Sequence, residues 1–580
     1  MFFTVRVYLA KISPKTTVNG ITKLFARSAT FNVKDLIVHE SHGETGTLNA
    51  RFVKHLALEG CKFDRIIPQT IKYSDFYPVQ DMRSFNTAVE RVPMEQIPRL
   101  IVFTYTYKTN GDPYKVVQVL NTIDEICVAN IDQFEYENLL EVLYAFMFVI
   151  PSKITKLQFY ERAMRRLLNE FKPSLPKERF VQVSFYLGLS KRNMHSNKMM
   201  NQLFSSYLKH YLEKLSTLDF AIVSNAAYKT SLIINEPAFN ERLVQEVESS
   251  DCKDDALLVS FVKSIRLNRI KSPQLCEKLK SHLQSGKMND FHFKGLVHCF
   301  AYFSENFWND PEVCDLFVAK CLKFLESSDE VFNDMRAKDL ATFLWCCAHL
   351  GLDNLTESDF ELIKEEILRN IDDDKYRNCP DELVDSALSL WMLGYKSKDI
   401  VSEVINLNAH HTTRNSERIK LDSRLRLFLN CVQIEKPEWM EKKRKVEKCF
   451  VEDRKAPDYL VTKRKDLPEV VQVLEQNKSE LGLVSSSVVC PISDLNVPGI
   501  FMETKQGKGY LEVVEDNQLM KFSSKVASIL QLKVTLLKSL GYNVQMIVPS
   551  DYQNSGALLE ALKESINSLE AIPRAEEAVA

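Results

Sequence analysis

Residues 531–549 read QLKVTLLKSLGYNVQMIVP and place a helix, a stop and a strand in immediate succession. Leu532, Leu536, Leu537 and Leu540 recur at helical spacing, Gly541 stands where a helix C-terminus takes a left-handed residue, and Val544, Met546 and Val548 alternate as in a half-buried strand. Working outward, residues 484–490, 500–505 and 510–515 are expected as three short strands. A helical stretch over 469–481 precedes them, and a last helix follows the fourth strand. The predicted order is α-β-β-β-α-β-α.

That order, together with Leu532, Lys533, Leu536, Leu537, Leu540, Gly541, Tyr542, Val544 and Ile547, resembles the RAP domain, a small α/β module with a restriction-endonuclease-like core. The chain departs from that pattern at Thr535, where a basic residue is usual, and at Asp551 and Tyr552, where a Trp-containing stretch is usual.

Composition bounds the rest. A chain of 580 residues exceeds one compact core, so several domains or a repeat array are expected. Only 16 residues are Gly, under half of the ~7% usual share, which favours helices joined by polar loops over strands closed by tight turns. No apolar run approaches the roughly 18 residues of a membrane span, so no membrane segment and a soluble protein are expected. The 13 cysteines form no C-x-x-C pair and fall mostly in apolar stretches, as Cys299, Cys321, Cys346 and Cys347 do. They read as reduced core thiols, with neither a disulfide framework nor a zinc site. His298 and His349 read as core or groove residues, there being no H-E-x-x-H, and no metal or other cofactor is expected.

Residues 1–34 contain Arg6, Lys11, Lys15, Lys23, Arg27 and Lys34, seven Ser or Thr, and no acid. Ile21, Leu24 and Phe25 share one helix face with Lys23 and Arg27 beside it, the composition of a mitochondrial transit peptide. Matrix import is therefore expected, against the alternative of a flexible basic tail. Taking these six charges from a formal net of −2 leaves about −8, so any nucleic-acid surface must be local.

From residue 136 to 411 the chain recurs as helix pairs, after a mixed N-terminal region over 35–135. The first helices open at Asn138, Arg179, Asp219, Asp255, Phe293, Asp339 and Glu382, roughly 36 to 46 residues apart, within the range of helical-pair solenoids. Each pair is expected to bury one face against its neighbours and to leave a concave inner surface. Two basic islands lie in the array, residues 153–192 and 263–287, the second carrying Arg266, Arg269 and Lys271. A surface lined this way tracks phosphates, while polar side chains of the first helices would reach unstacked bases. The same lysines also suit a solvated helix face.

The stretch ERIKLDSRLRLFLNCVQIEKPEW, residues 417–439, is an apolar helix ended by Pro437, Glu438 and Trp439. It resembles the segment that precedes the RAP domain in the FAST kinase domain-containing family. Transit-like N-terminus, helical repeats, this segment and a C-terminal RAP-like domain occur in that order in the family. The boundaries on this reading are 1–34 transit peptide, 35–135 mixed region, 136–411 repeats, 412–466 family-specific helix and basic linker, 467–572 RAP-like domain and 573–580 tail. The expected class is mainly α: a helical-pair repeat solenoid followed by a small C-terminal α/β domain of restriction-endonuclease-like (RAP) type. The resemblance implies binding of single-stranded mitochondrial RNA in transcript processing, stability or translation, with RNA-processing enzymes or mitoribosomal components as further partners. Within the last domain, Lys533, Lys538 and Tyr552 are the expected RNA contacts.

Kinase chemistry has no support in the chain. A protein kinase needs a Gly-rich loop, a strand Lys, H-R-D and D-F-G, and only the lone pair Gly507 and Gly509 is present. Nuclease chemistry needs an acid on the second strand and D/E-x-K on the third, where carboxylates hold Mg²⁺ and the Lys assists water. Glu503 and Glu512 take those strand positions, but Val514 stands where the Lys belongs. A shifted assignment gives Asp494, Glu503 and Lys505 as an alternative catalytic set. A metal-dependent ribonuclease and a helical protein-binding scaffold are thus the competing readings.

Overall fold

In the computed structural model, described residues are 30–31, 48–56, 67–68 and 76–570, except 78, 111–112, 152, 192, 327–334, 378, 408–414, 441–445, 447 and 506. The transit-like segment falls outside them apart from Thr30 and Phe31, as does the tail expected at 573–580. Thr30–Phe31 (β1) and Ile67–Pro68 (β2) form a two-residue antiparallel pair. The chain divides into two compact units: residues 1–250 with 256–270, and 251–255 with 271–580.

The first unit holds α1 (Leu48–His55), α2 (Met82–Val89), α3 (Ile97–Asn110), α4 (Pro113–Ala129), α5 (Tyr136–Val149), α6 (Gln158–Asn169), α7 (Lys177–Leu189), α8 (Met194–Tyr211), α9 (Thr217–Thr230) and α10 (Pro237–Glu248), and most of α11 (Asp255–Leu267). First helices stack on first helices: α3 on α5, α7 on α9, and α9 on α11 through Phe220 and Phe261 and the Ser264 hydroxyl, which donates to the Ser224 carbonyl. Partner helices form a second layer, with α4 on α6 and α6 on α8. Pairing therefore begins earlier than residue 136. The stretch 97–110, rich in β-branched and aromatic residues, is a first helix, overriding its weak helical propensity by burial of Leu100, Ile101 and Val102. Caps fix the entries: Ser216 and Asp219 form a reciprocal capping box on α9.

The second unit continues the pattern with α12 (Pro273–Gln284), α13 (Phe293–Glu305), α14 (Pro311–Glu326), α15 (Ala337–Leu350), α16 (Glu357–Asp372), α17 (Pro380–Met392), α18 (Lys398–Asn406) and α19 (Asn415–Glu435). The first helices α13, α15, α17 and α19 stack in turn, and α12, α14, α16 and α18 form the partner layer. The Pro437–Trp439 turn after α19 sets Trp439 edge-on to Trp391, 6.3 Å away, while Glu435 accepts from the Trp391 indole at 2.5 Å and pairs with Lys396 at 2.8 Å.

After a short helix α20 (Asp458–Val461) come α21 (Leu467–Gln476), β3 (Leu483–Val489), β4 (Gly499–Thr504), β5 (Lys508–Val513), α22 (Ser528–Ser539), β6 (Asn543–Ile547) and α23 (Ser555–Glu570), the order read from the sequence. The sheet runs β3-β4-β5-β6, antiparallel except for the parallel β5/β6 pair that α22 connects. Period-two alternation sends Ile500, Met502, Leu511 and Val513 into a core with α21 and α23, and Phe501, Tyr510 and Glu512 to the other face.

The described cysteines form no disulfide, and all but Cys379 and Cys449 are buried. Among the described residues no helix is long and apolar enough to cross a membrane. His298 is buried, and His349 stacks on Trp345 at 4.9 Å with its pKa pushed down to about 4 by burial. At Gly188 of α7 an added Cβ would lie 2.9 Å from Ala226 Cα of α9. Gly188→Ala is expected to cost about 1–3 kcal/mol in chemical denaturation, with part of the loss restored by Ala226→Gly.

Candidate nucleic-acid interface

The first helices are not an open wall. Every residue of α7 from 179 to 188 is buried, and α5 and α13 are buried almost all round. In the first unit α1 lies antiparallel along α9. Asn49 accepts from Lys229 at 2.8 Å at one end, and His55 pairs with Asp219 at 2.8 Å at the other. Phe52 is fully buried, and Tyr144 of α5 donates to the Val53 carbonyl. The side chains of these helices face packed protein, so they do not take the base-reaching role expected of them.

Charge is segregated by helix end instead. At the N-termini of the first helices, acids meet cations: Glu137 pairs with Arg179 at 2.6 Å, and Asp219 with Lys177 at 2.5 Å as well as with His55. The turns at their C-termini differ. Lys153, Lys191, Lys229 and Arg266 recur there every 37 or 38 residues, with Arg269 just beyond. Lys153, Lys191 and Arg269 are exposed, Lys229 and Arg266 half-buried. The parallel stacking of α7, α9 and α11 puts the turns of Lys191, Lys229 and Arg266 at one edge, with rungs about 8–10 Å apart. The helix dipole favours a cation at each such end. It does not account for their crowding: the Lys229 ammonium is pulled down to about 8, first by burial and then by the Lys191 charge. Lys271 of the second unit is exposed.

In the α/β domain, Lys533 is corrected as an RNA contact. It is 1% exposed and pairs at 2.6 Å with Glu512 of β5, itself fully buried. Burial pushes the Glu512 carboxyl up, and Lys533 opposes that shift. The pair has room because Gly499 stands across from Glu512 in the β4/β5 ladder: a Cβ at 499 would meet Glu512 Oε1 and Lys533 Nζ at 2.5 Å. The lysine absent at position 514 is thus supplied from α22, whereas the strand position facing Glu512 offers no second carboxylate. No signal in the sequence distinguished Lys533 from a surface lysine, because α22 is buried on two sides, by its own sheet and by α19, α15 and α17.

Lys538 is exposed on the last turn of α22 and stays available. Tyr552 packs partly buried against the core under the sheet, so it is not a free stacking platform. Asp494, Glu503 and Lys505 are not brought together as a metal site. Asp494 precedes β4, has φ +60° and pairs with Arg426 of α19 at 3.1 Å. Glu503 lies toward the other end of β4 and accepts from Ser485 at 3.0 Å, and Lys505 is exposed just beyond the strand. Among the described residues no three His, Cys, Asp or Glu side chains gather as a metal-binding group.

No known family model matches the chain, and a search of the curated proteins finds no match.

Breaking a buried ion pair costs far more than replacing it whole. Lys533→Met is expected to destabilise the protein by about 3–5 kcal/mol, and Glu512→Leu combined with Lys533→Met to recover most of that loss in urea unfolding. A double variant as unstable as the single one would mean that the pair is not an isolated unit.

Proposed function

We propose that the protein binds single-stranded RNA in the mitochondrial matrix and acts in transcript processing, stability or translation, as a solenoid of helical pairs carrying a RAP-type domain of the kind found in the FAST kinase domain-containing family. The observation that carries the reading is the row of cations at the C-terminal turns of the first unit. Lys153, Lys191, Lys229 and Arg269 take part in no ion pair among the described residues, whereas the opposite edge neutralises its own charges. A polyanion with charges at short, regular intervals complements such a row by releasing counterions.

Binding is favoured over hydrolysis. The endonuclease-like arrangement needs two carboxylates converging on a metal, and here the residue facing Glu512 is Gly499 while Lys533 neutralises the remaining acid. The domain then serves as a docked second body, with Lys538 as its exposed contact.

Replacing Lys191, Lys229 and Arg269 together by Ala is expected to weaken binding of a single-stranded RNA oligomer and to make the slope of log K against log salt shallower by about 2, at roughly 0.7 per contact. An unchanged slope with full affinity assigns these residues to solvent and overturns the reading. The same wild-type protein incubated with Mg²⁺ or Mn²⁺ is expected to leave the RNA intact; cleavage abolished by Glu503→Ala would establish the ribonuclease instead. For destination, changing Arg6, Lys11, Lys23 and Arg27 to Glu is expected to leave a tagged protein outside mitochondria, and a wild-type protein found in the cytosol would refute matrix import.

A further inference from the structure

The hairpin tip Lys521-Phe522-Ser523-Ser524-Lys525, between β5 and α22, meets the turn that follows α13. Its backbone is fixed on both sides. Lys521 N donates to the Phe307 carbonyl at 2.7 Å, Met520 N to the Lys525 carbonyl at 2.9 Å, and Lys525 Nζ to the Gly351 carbonyl at 2.8 Å. On this rigid base Phe522 is 58% exposed, the ring supported edge-on by buried Trp308 at 4.8 Å. Phe522 has φ +64° and Phe307, opposite, φ +56°, in the left-handed region that favours glycine. A bulky residue there is an outlier that persists only when its surroundings enforce it. The Trp308 indole N–H is buried without an acceptor. Stability is thus given up three times at one place, and folding gains little from an aromatic ring facing water.

The chemistry around the ring is cationic. Lys521 stands exposed over Trp308, 5.0 Å from its ring centre, with no ion pair among the described residues. Lys525 pairs with Asp353 at 2.9 Å, and the tip itself carries no acid. A rigid, solvent-facing aromatic ring beside a free ammonium is what an unstacked nucleobase and its phosphate require.

We propose that Phe522 is a base-stacking platform for single-stranded RNA, with Lys521 as the phosphate contact beside it. This rests on the RNA-binding reading and adds to it a named subsite in the second unit. Stacking and counterion release leave different signatures, so the two residues can be separated.

The test is fluorescence anisotropy of a labelled single-stranded RNA with the full chain and its variants, across a salt series. Phe522→Gly is expected to weaken binding roughly tenfold while the salt slope stays as in the wild type. Its thermal midpoint is expected to be unchanged or higher, since glycine relieves the left-handed backbone. Phe522→Trp is expected to retain affinity. Lys521→Ala is expected to make the slope shallower by about 0.7. Wild-type affinity in Phe522→Gly, alongside weakening by the Lys191, Lys229 and Arg269 variant, overturns this inference alone. Absence of RNA binding by the wild type removes both.

Discussion

A helix that is apolar nearly all round must be covered on every side, and this one requirement organises both units. The first helices have few positions that tolerate water: residues 179–188 are buried without interruption, and α15 buries Leu340, Phe343, Leu344, Cys346 and Cys347 on its several faces. Partner helices cover one side. In the first unit α1 covers part of the other along α9. In the second unit α22 takes that place against α15, α17 and α19, with Ser528 donating to the His349 carbonyl at 2.8 Å. A lone layer of helix pairs would leave large apolar surface exposed. The terminal segments are therefore structural parts of the array.

The α/β domain applies the same requirement to a charged pair. Since α22 is covered on two sides, Lys533 has no route to water and takes its counterion from β5. Two charges leaving water are expensive, and their attraction offsets this cost only at short range. The 2.6 Å contact supplies that range, and it exists because position 499 has no side chain. Gly499, Glu512 and Lys533 therefore act as one unit. The chemistry available there is neutralisation, whereas a metal-dependent hydrolase would need the facing position to be acidic.

Much of this was legible in the sequence. Seven first helices could be located from apolar spacing, and the helix-strand alternation at 531–549 led to the full order of the last domain, because both signals are local. Strand limits shifted by one or two residues, as when 510–515 became Lys508–Val513, since hydrogen bonding and not residue type ends a strand. What stayed hidden depends on partners distant in the chain. A Leu-rich helix covered on one side reads the same as one covered on two, so Lys533 passed for a surface lysine and the first-helix faces for a groove. Tyr552 was misplaced for the same reason: an aromatic after a strand carries no mark of which neighbours will cover it. The cations at 153, 191, 229 and 266 are spaced at a period close to 38, but the common edge of the last three follows only from the parallel stacking of α7, α9 and α11.

Where a first helix is covered on both sides, its ends and the turns beyond them are what stays open. An edge made of turns offers side chains from one short segment at a time and little depth. The two edges are then told apart by how their charges are used. Cations paired with Glu137 and Asp219 at the N-terminal ends hold successive helices in register, and an approaching polyanion would have to compete with carboxylates already 2.5–2.6 Å away. Lys153, Lys191, Lys229 and Arg269 at the C-terminal ends take part in no ion pair among the described residues, and burial first, then the Lys191 charge, lowers the Lys229 pKa. Like charges held near one another lower stability, so the C-terminal edge is the electrostatically less favourable of the two in the free protein.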